Sequence, residues 1–143
     1  MSTRIVHITR REEFSASHRL HDPSLSDEEN RRLYGICNNP HGHGHNYEFE
    51  VTVRGAVPKS GMVMNLTDLM RILQEDVLPL VDHKHLNHDV PFLEGLIPTA
   101  ENIAIALWER IEPQIATFDG CRLHKIKLWE SRANSVEYRG TTT

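Results

Sequence analysis

The sequence predicts an α+β fold in which an antiparallel four-stranded sheet carries two long helices on one face, and three observations carry that reading. Apolar residues alternate with polar ones early and again late in the chain, while between them they recur at helical spacing. The order is thus strands, helices, strands. A length of 143 residues suits one core, so residues 1–143 are read as a single domain.

The first strand is expected over residues 5–18, where Phe14, Ala16 and His18 fall at period two. Ser26 with Glu29 three positions on reads as a capping box opening a short surface helix. Residues 43–54 alternate cleanly, with Tyr47, Phe49, Val51 and Val53 on one face and Glu48, Glu50, Thr52 and Arg54 on the other. A Gly/Pro turn over 55–61 leads into the apolar run 62–66, expected to pair with an earlier strand. A helix follows over about 67–80, its inner face Leu69, Ile72, Leu73, Val77 and Leu80. Thr99 is placed to N-cap a second helix with Ile103, Leu107, Trp108 and Ile111 inward. Residues 122–130 and 135–139 close the chain as two strands joined by a short Asn-containing turn. Four strands leave open edges, which predicts pairing with another subunit.

A hydrophobic fraction of 38%, a charged fraction of 25% and a mean hydropathy of -0.47 describe an ordinary globular chain. The first residues lack the apolar stretch of a secretory leader and no segment approaches a membrane span, so cytoplasmic residence without a membrane partner is expected. Cys37 and Cys121 are expected as reduced thiols. A formal net charge of -4 without a Lys/Arg stripe argues against nucleic acid. The unusual count is ten histidines, three of them between His41 and His45.

His43 and His45 stand two apart on a strand, so both imidazoles leave the same side, where the apolar face of Tyr47 to Val53 runs out. His18, also at the end of an apolar face, completes the three-ligand set of a catalytic metal. The His41–His45 run taken alone favours metal binding, the alternative being a flexible loop without ligands. Cys37 lies six residues before His43 in a Gly/Asn/Pro loop, where a nearby cation would favour its thiolate and a role as base, the alternative being a structural buried thiol. Asp82 and His83 are adjacent, so the carboxylate can orient or charge the imidazole, although most such neighbours are solvated; His85 and His88 are read as solvated. Glu130 ends a strand on the parity of Ile126 and Leu128 and could accept paired hydrogen bonds from an aminopyrimidine edge, or simply turn into water.

The segments FSASHRL, LSDEEN, CNNPHGHGHNY, GMVMNL, VDHKHLN, DVPF, PTAEN and the late WE together resemble the 6-pyruvoyltetrahydropterin synthase family along nearly the whole chain. The resemblance implies a tunnelling fold, in which three subunits form a barrel and two trimers stack into a homohexamer. It implies zinc on His18, His43 and His45, Cys37 as general base with Asp82 and His83 as relay partners, and Glu130 as pterin anchor assisted by Glu101 and Thr99. The family often has two threonines before that glutamate, whereas Ala100 follows Thr99 here. His41 creates a second possible His-Gly-His register, but Asn46 and Tyr47 follow His45 as they follow the last ligand in the family.

The implied reaction converts 7,8-dihydroneopterin triphosphate to 6-pyruvoyltetrahydropterin with loss of triphosphate and no external reductant. In carboxypterin-forming members the catalytic cysteine usually stands four residues before the first ligand histidine. Here Asn38, Asn39, Pro40, His41 and Gly42 separate Cys37 from His43, which matches the pyruvoyl type. The alternatives are a 6-carboxytetrahydropterin synthase of queuosine biosynthesis and a non-catalytic zinc- or pterin-binding assembly protein.

Overall fold

A computed structural model describes residues 3–141. Two long strands, β1 (Ile5–His18) and β2 (His43–Ala56), run antiparallel from the Ile5↔Ala56 pair to the His18↔His43 pair. The excursion between them holds α1 (Asp27–Tyr34), opened by the expected reciprocal Ser26/Glu29 cap, and a 3₁₀ turn over Gly35–Asn38. After β2 come α2 (Leu66–Asp76), the single turn α3 (Leu78–Val81) and the two-residue β3 (Lys84–His85). Next are α4 (Ala100–Ile115), β4 (Arg122–Trp129) and β5 (Ser135–Tyr138).

The sheet order is β3-β1-β2-β4-β5, so the expectation of four strands is corrected to five. The four antiparallel strands are those read from periodicity. β3 runs parallel to β1 through Ala16↔Lys84 and Ser17↔His85, and two residues are too few to show any period. The run 62–66 forms no strand. Its Met64 plugs the core, and the side chain of Asn65 accepts from Thr67 N to cap α2. The helix expected over 67–80 breaks at Val77 because Pro79 in the next turn has no N–H to donate and restricts the residue before it.

The inner sheet face supplies Phe14, Tyr47, Phe49, Val51, Val53, Ile126 and Leu128, all buried. Against it pack Leu69, Leu73 and Val77 from the α2 segment and Ile103, Leu107 and Ile111 from α4, as their spacing requires. Leu80 is only half-buried, and Trp108 meets Tyr138 edge-on at 5.5 Å. On the outer face Arg11 bonds Glu48 and Glu50 and lies over Trp129, whose ring also receives Lys127. The layering therefore fixes one geometric fact for the site: residues on the parity of His18 and His43 open toward the helices, and their neighbours open away from them.

Candidate active site

Three histidines meet where the inner face ends. The β1–β2 register sets His18 opposite His43, and strand parity brings His45 alongside. The three ring centroids are 4.7 to 5.0 Å apart, and one nitrogen from each ring lies within 4.8 Å of the others. His18 is 1% exposed. Its Nδ1 lies 2.8 Å from the carbonyl of Pro98, which can only accept, so Nδ1 holds the proton and Nε2 presents its lone pair to the group. Nε2 of His18 faces Nε2 of His43 at 3.1 Å.

Burial lowers the His18 pKa to about 4, with His43, His45 and His85 adding repulsion and the Pro98 carbonyl opposing the drop. Burial likewise lowers His45, against the pull of Glu130. Both are thus neutral near pH 7, the state in which imidazole binds a metal. His45 Nε2 is buried with no hydrogen-bond partner, an arrangement that costs about 1–3 kcal/mol unless something fills it. Tetrahedral bonds of about 2.0–2.1 Å set ligand nitrogens about 3.4 Å apart, so a zinc-sized cation fits these residues with small ring movements. The expected ligands are therefore the ones the fold collects. His41 stands outside them, exposed beyond Gly42, whose φ of 77° turns the chain and where a Cβ would lie 2.9 Å from the His18 carbonyl oxygen.

Beside this group lie an opening of about 440 Å³ lined by Ser17, Gly44, His45, His83 and His85 and a cavity of about 360 Å³ lined by Leu20, Tyr34, Thr99, Glu101 and Glu130. Glu130 Oε1 approaches His45 Nε2 to 3.7 Å, so the cavity abuts the histidines through this pair. Thr99 caps α4 by accepting from Asn102 N at 3.2 Å, which leaves its hydroxyl proton for another acceptor. Because Pro98 directly precedes it, one short segment both orients His18 and walls the cavity.

Cys37 sits half-buried in the 3₁₀ turn, its carbonyl accepting from Leu20 N at 2.9 Å. The neighbouring Asn38 side chain is buried and locks the loop by donating to Leu20 O at 2.8 Å. Tyr47, 3.3 Å from His18 Nδ1, has its pKa raised by burial and then by Glu130 and Cys37.

Asp82 and His83 form the expected pair, Asp82 Oδ1 lying 3.0 Å from His83 Nδ1 and accepting from Ser15 N at 2.9 Å. The Ser15 N–H, ahead of His83, holds the Asp82 carboxyl below its usual range. Their cavity is shared with Glu13, Phe14, Ser15, Asn46 and Glu48, and His83 also lines an opening with His45, but the pair bonds to itself and to Ser15 rather than to Cys37 or the histidine group. His83 has φ 61° and is largely exposed. His88 is exposed as expected. His85 departs from the solvated reading: it is half-buried, and a Cβ on Gly42 would meet its Nε2 at 3.2 Å. Sequence reasoning also missed Asn38, Tyr47 and the Pro98 carbonyl; the parity of Tyr47 with the ligands was the one signal available.

The family model for 6-pyruvoyl tetrahydropterin synthase matches residues 7–141. The chain is 48% identical over 138 residues to the 6-pyruvoyl tetrahydrobiopterin synthase of Poecilia reticulata, covering 96% of this chain and 92% of that one. It is 46% identical over 134 residues to the Homo sapiens protein of the same name, covering 93% and 90%. The solved structure of Caenorhabditis elegans 6-pyruvoyl tetrahydropterin synthase superposes with a TM-score of 0.91 at 39% identity, covering 99% of this chain and 100% of that one.

Proposed function

Because this chain belongs to the 6-pyruvoyl tetrahydropterin synthase family, we propose that it converts 7,8-dihydroneopterin triphosphate to 6-pyruvoyltetrahydropterin with loss of triphosphate. The observation that carries this reading is the buried, unpartnered Nε2 of His45 set between two further imidazoles and the Glu130 carboxylate. His18, His43 and His45 would hold zinc, which as a Lewis acid would supply polarisation of the substrate side-chain hydroxyls. Glu130 accepts the paired N–H donors of the pterin ring, and Glu101 with the free Thr99 hydroxyl proton completes the cavity wall. The Cys37 thiolate takes a proton from the pterin side chain, and the Asp82–His83 pair returns one. Loss of triphosphate leaves a methyl group as the neighbouring alcohol becomes a ketone, and the two electrons given up as the alcohol next to the ring becomes the second ketone reduce the dihydropterin ring to tetrahydropterin, so no external reductant is consumed.

On their own chain Asp82 and His83 bond each other and Ser15 and make no bond to Cys37 or the histidine group. Their catalytic role is met by a second copy that carries them to Cys37, which agrees with the sheet's short edge strand β3, two residues long, and its other edge strand β5. A homohexamer of two stacked trimers in the cytoplasm is the assembly we favour. Among the described residues no helix is long and apolar enough to cross a membrane.

Metal content tests the ligand set. His43→Ala should lose bound zinc and turnover, and His41→Ala should retain both. Loss of zinc from His41→Ala with retention in His43→Ala would contradict the assignment, and zinc-loaded wild-type protein that binds pterin without releasing triphosphate would make it a binding protein instead.

A further inference from the structure

Far from the histidine triad, the outer sheet face carries a row of basic side chains in direct register. His7 on β1 pairs with Arg54 on β2, and Arg54 pairs with Arg122 on β4. Cross-strand partners share a face, and like charges directly opposite one another destabilise a sheet. A bulge sharpens the arrangement. Thr52 pairs with Lys125 and Val53 with Leu123, so His124 is the extra residue between them. Freed from the ladder, its ring lies tilted against His7 with centroids 4.4 Å apart. Lys125 shares the outer face, and Arg139, just past β5, also faces His124.

Among the described residues Arg54, Arg122 and Lys125 make no ion pair. Glu137 on the neighbouring β5 is held instead by Lys127 at 3.7 Å and by Arg139 at 3.4 Å. Burial, then His7, Arg139, Arg54 and Lys125, all lower the pKa of His124, and no carboxylate opposes them. In a chain of net charge -4 this concentration is against the overall sign. An anion seated on the row would relieve the repulsion between its members.

We infer that the His7–Arg54–Arg122 row, with His124 and Lys125, binds a small polyanion of the inorganic polyphosphate class. Three adjacent strands set the row about 10 Å long, two inter-strand spacings, which suits an extended chain of phosphates better than a single one. Binding strengthens as pH falls, because a protonated His124 adds charge toward the anion; the facing groups are His7 from β1, Arg54 from β2, Arg122 and Lys125 from β4, and Arg139 after β5. The source is either free inorganic polyphosphate or the phosphate tail of a nucleotide.

The test uses the full chain at low ionic strength, titrated with sodium tripolyphosphate, orthophosphate and ATP while the His7 and His124 ring resonances are followed by NMR. Tripolyphosphate should shift both rings, raise the His124 pKa and bind more tightly than orthophosphate; equal or tighter binding of ATP would identify a nucleotide tail as the source. In Arg54→Gln/Arg122→Gln the dissociation constant read from these rings should rise about tenfold. The double variant should also melt no lower than wild type in the absence of anion, since it removes a like-charge pair. Unmoved ring resonances, or an unchanged dissociation constant in the folded double variant, would overturn the proposal.

Discussion

Nε2 of His45 lies 3.7 Å from Oε1 of Glu130, buried and without a hydrogen-bond partner, at the seam between the three histidines and the cavity beside them. That contact is too long for a hydrogen bond, so the carboxylate keeps its lone pairs for a ligand while its charge still favours cations nearby. On the proposed reading two functions thus meet in one pair, a metal ligand on β2 and a ring anchor at the end of β4.

Substitution separates them. Glu130→Gln replaces one acceptor by a donor, so pterin binding measured by calorimetry should weaken by about 2 kcal/mol while zinc content stays at the wild-type level. Equal pterin affinity would return Glu130 to a solvated strand end.

The depressed pKa of His18 predicts a pH dependence for metal-free protein. Its folded value of about 4 lies below the ordinary 6.5, so the unfolded chain takes up a proton first. The stability is therefore fully present above about pH 6.5 and is lost as pH falls toward 4, by roughly 3 kcal/mol at most from this one residue. Denaturant melts of wild type and His18→Gln between pH 4 and 7.5 check it; an equal acid loss in both proteins would assign the effect to other groups.

The proposed delivery of Asp82 and His83 by a second copy predicts complementation between subunits. Cys37→Ala should keep zinc and pterin binding but lose turnover, and His83→Ala should also be inactive. Unfolded together and refolded as mixed oligomers, the two should recover turnover that neither has alone, because some interfaces pair an intact Cys37 with an intact His83. No recovery in oligomers proven to be mixed would place the relay elsewhere.

Much of this was legible in the residues. Period two from Tyr47 to Val53 gave the face on which His43 and His45 had to emerge, and the Ser26/Glu29 and Thr99 caps gave two helix starts, because these signals are local. The two-residue β3 was not legible, since its pairing depends on the positive φ of His83 and on the bond from His83 N to Ser15 O. Pro98 could not be singled out because a backbone carbonyl has no sequence signature. The cationic row escaped notice for the same kind of reason: positions 7, 54, 122 and 125 are scattered along the chain and become neighbours only through strand register and the bulge at His124.

The most direct test of the account is the identity of the product. Zinc-loaded protein incubated with 7,8-dihydroneopterin triphosphate and followed by mass spectrometry should yield 6-pyruvoyltetrahydropterin and inorganic triphosphate. The spacing between Cys37 and His43 supports that outcome, since the thiolate must meet one particular side-chain carbon and a displacement of about 1 Å can cost a hundredfold in rate. Accumulation of 6-carboxytetrahydropterin with acetaldehyde as the main products would contradict it.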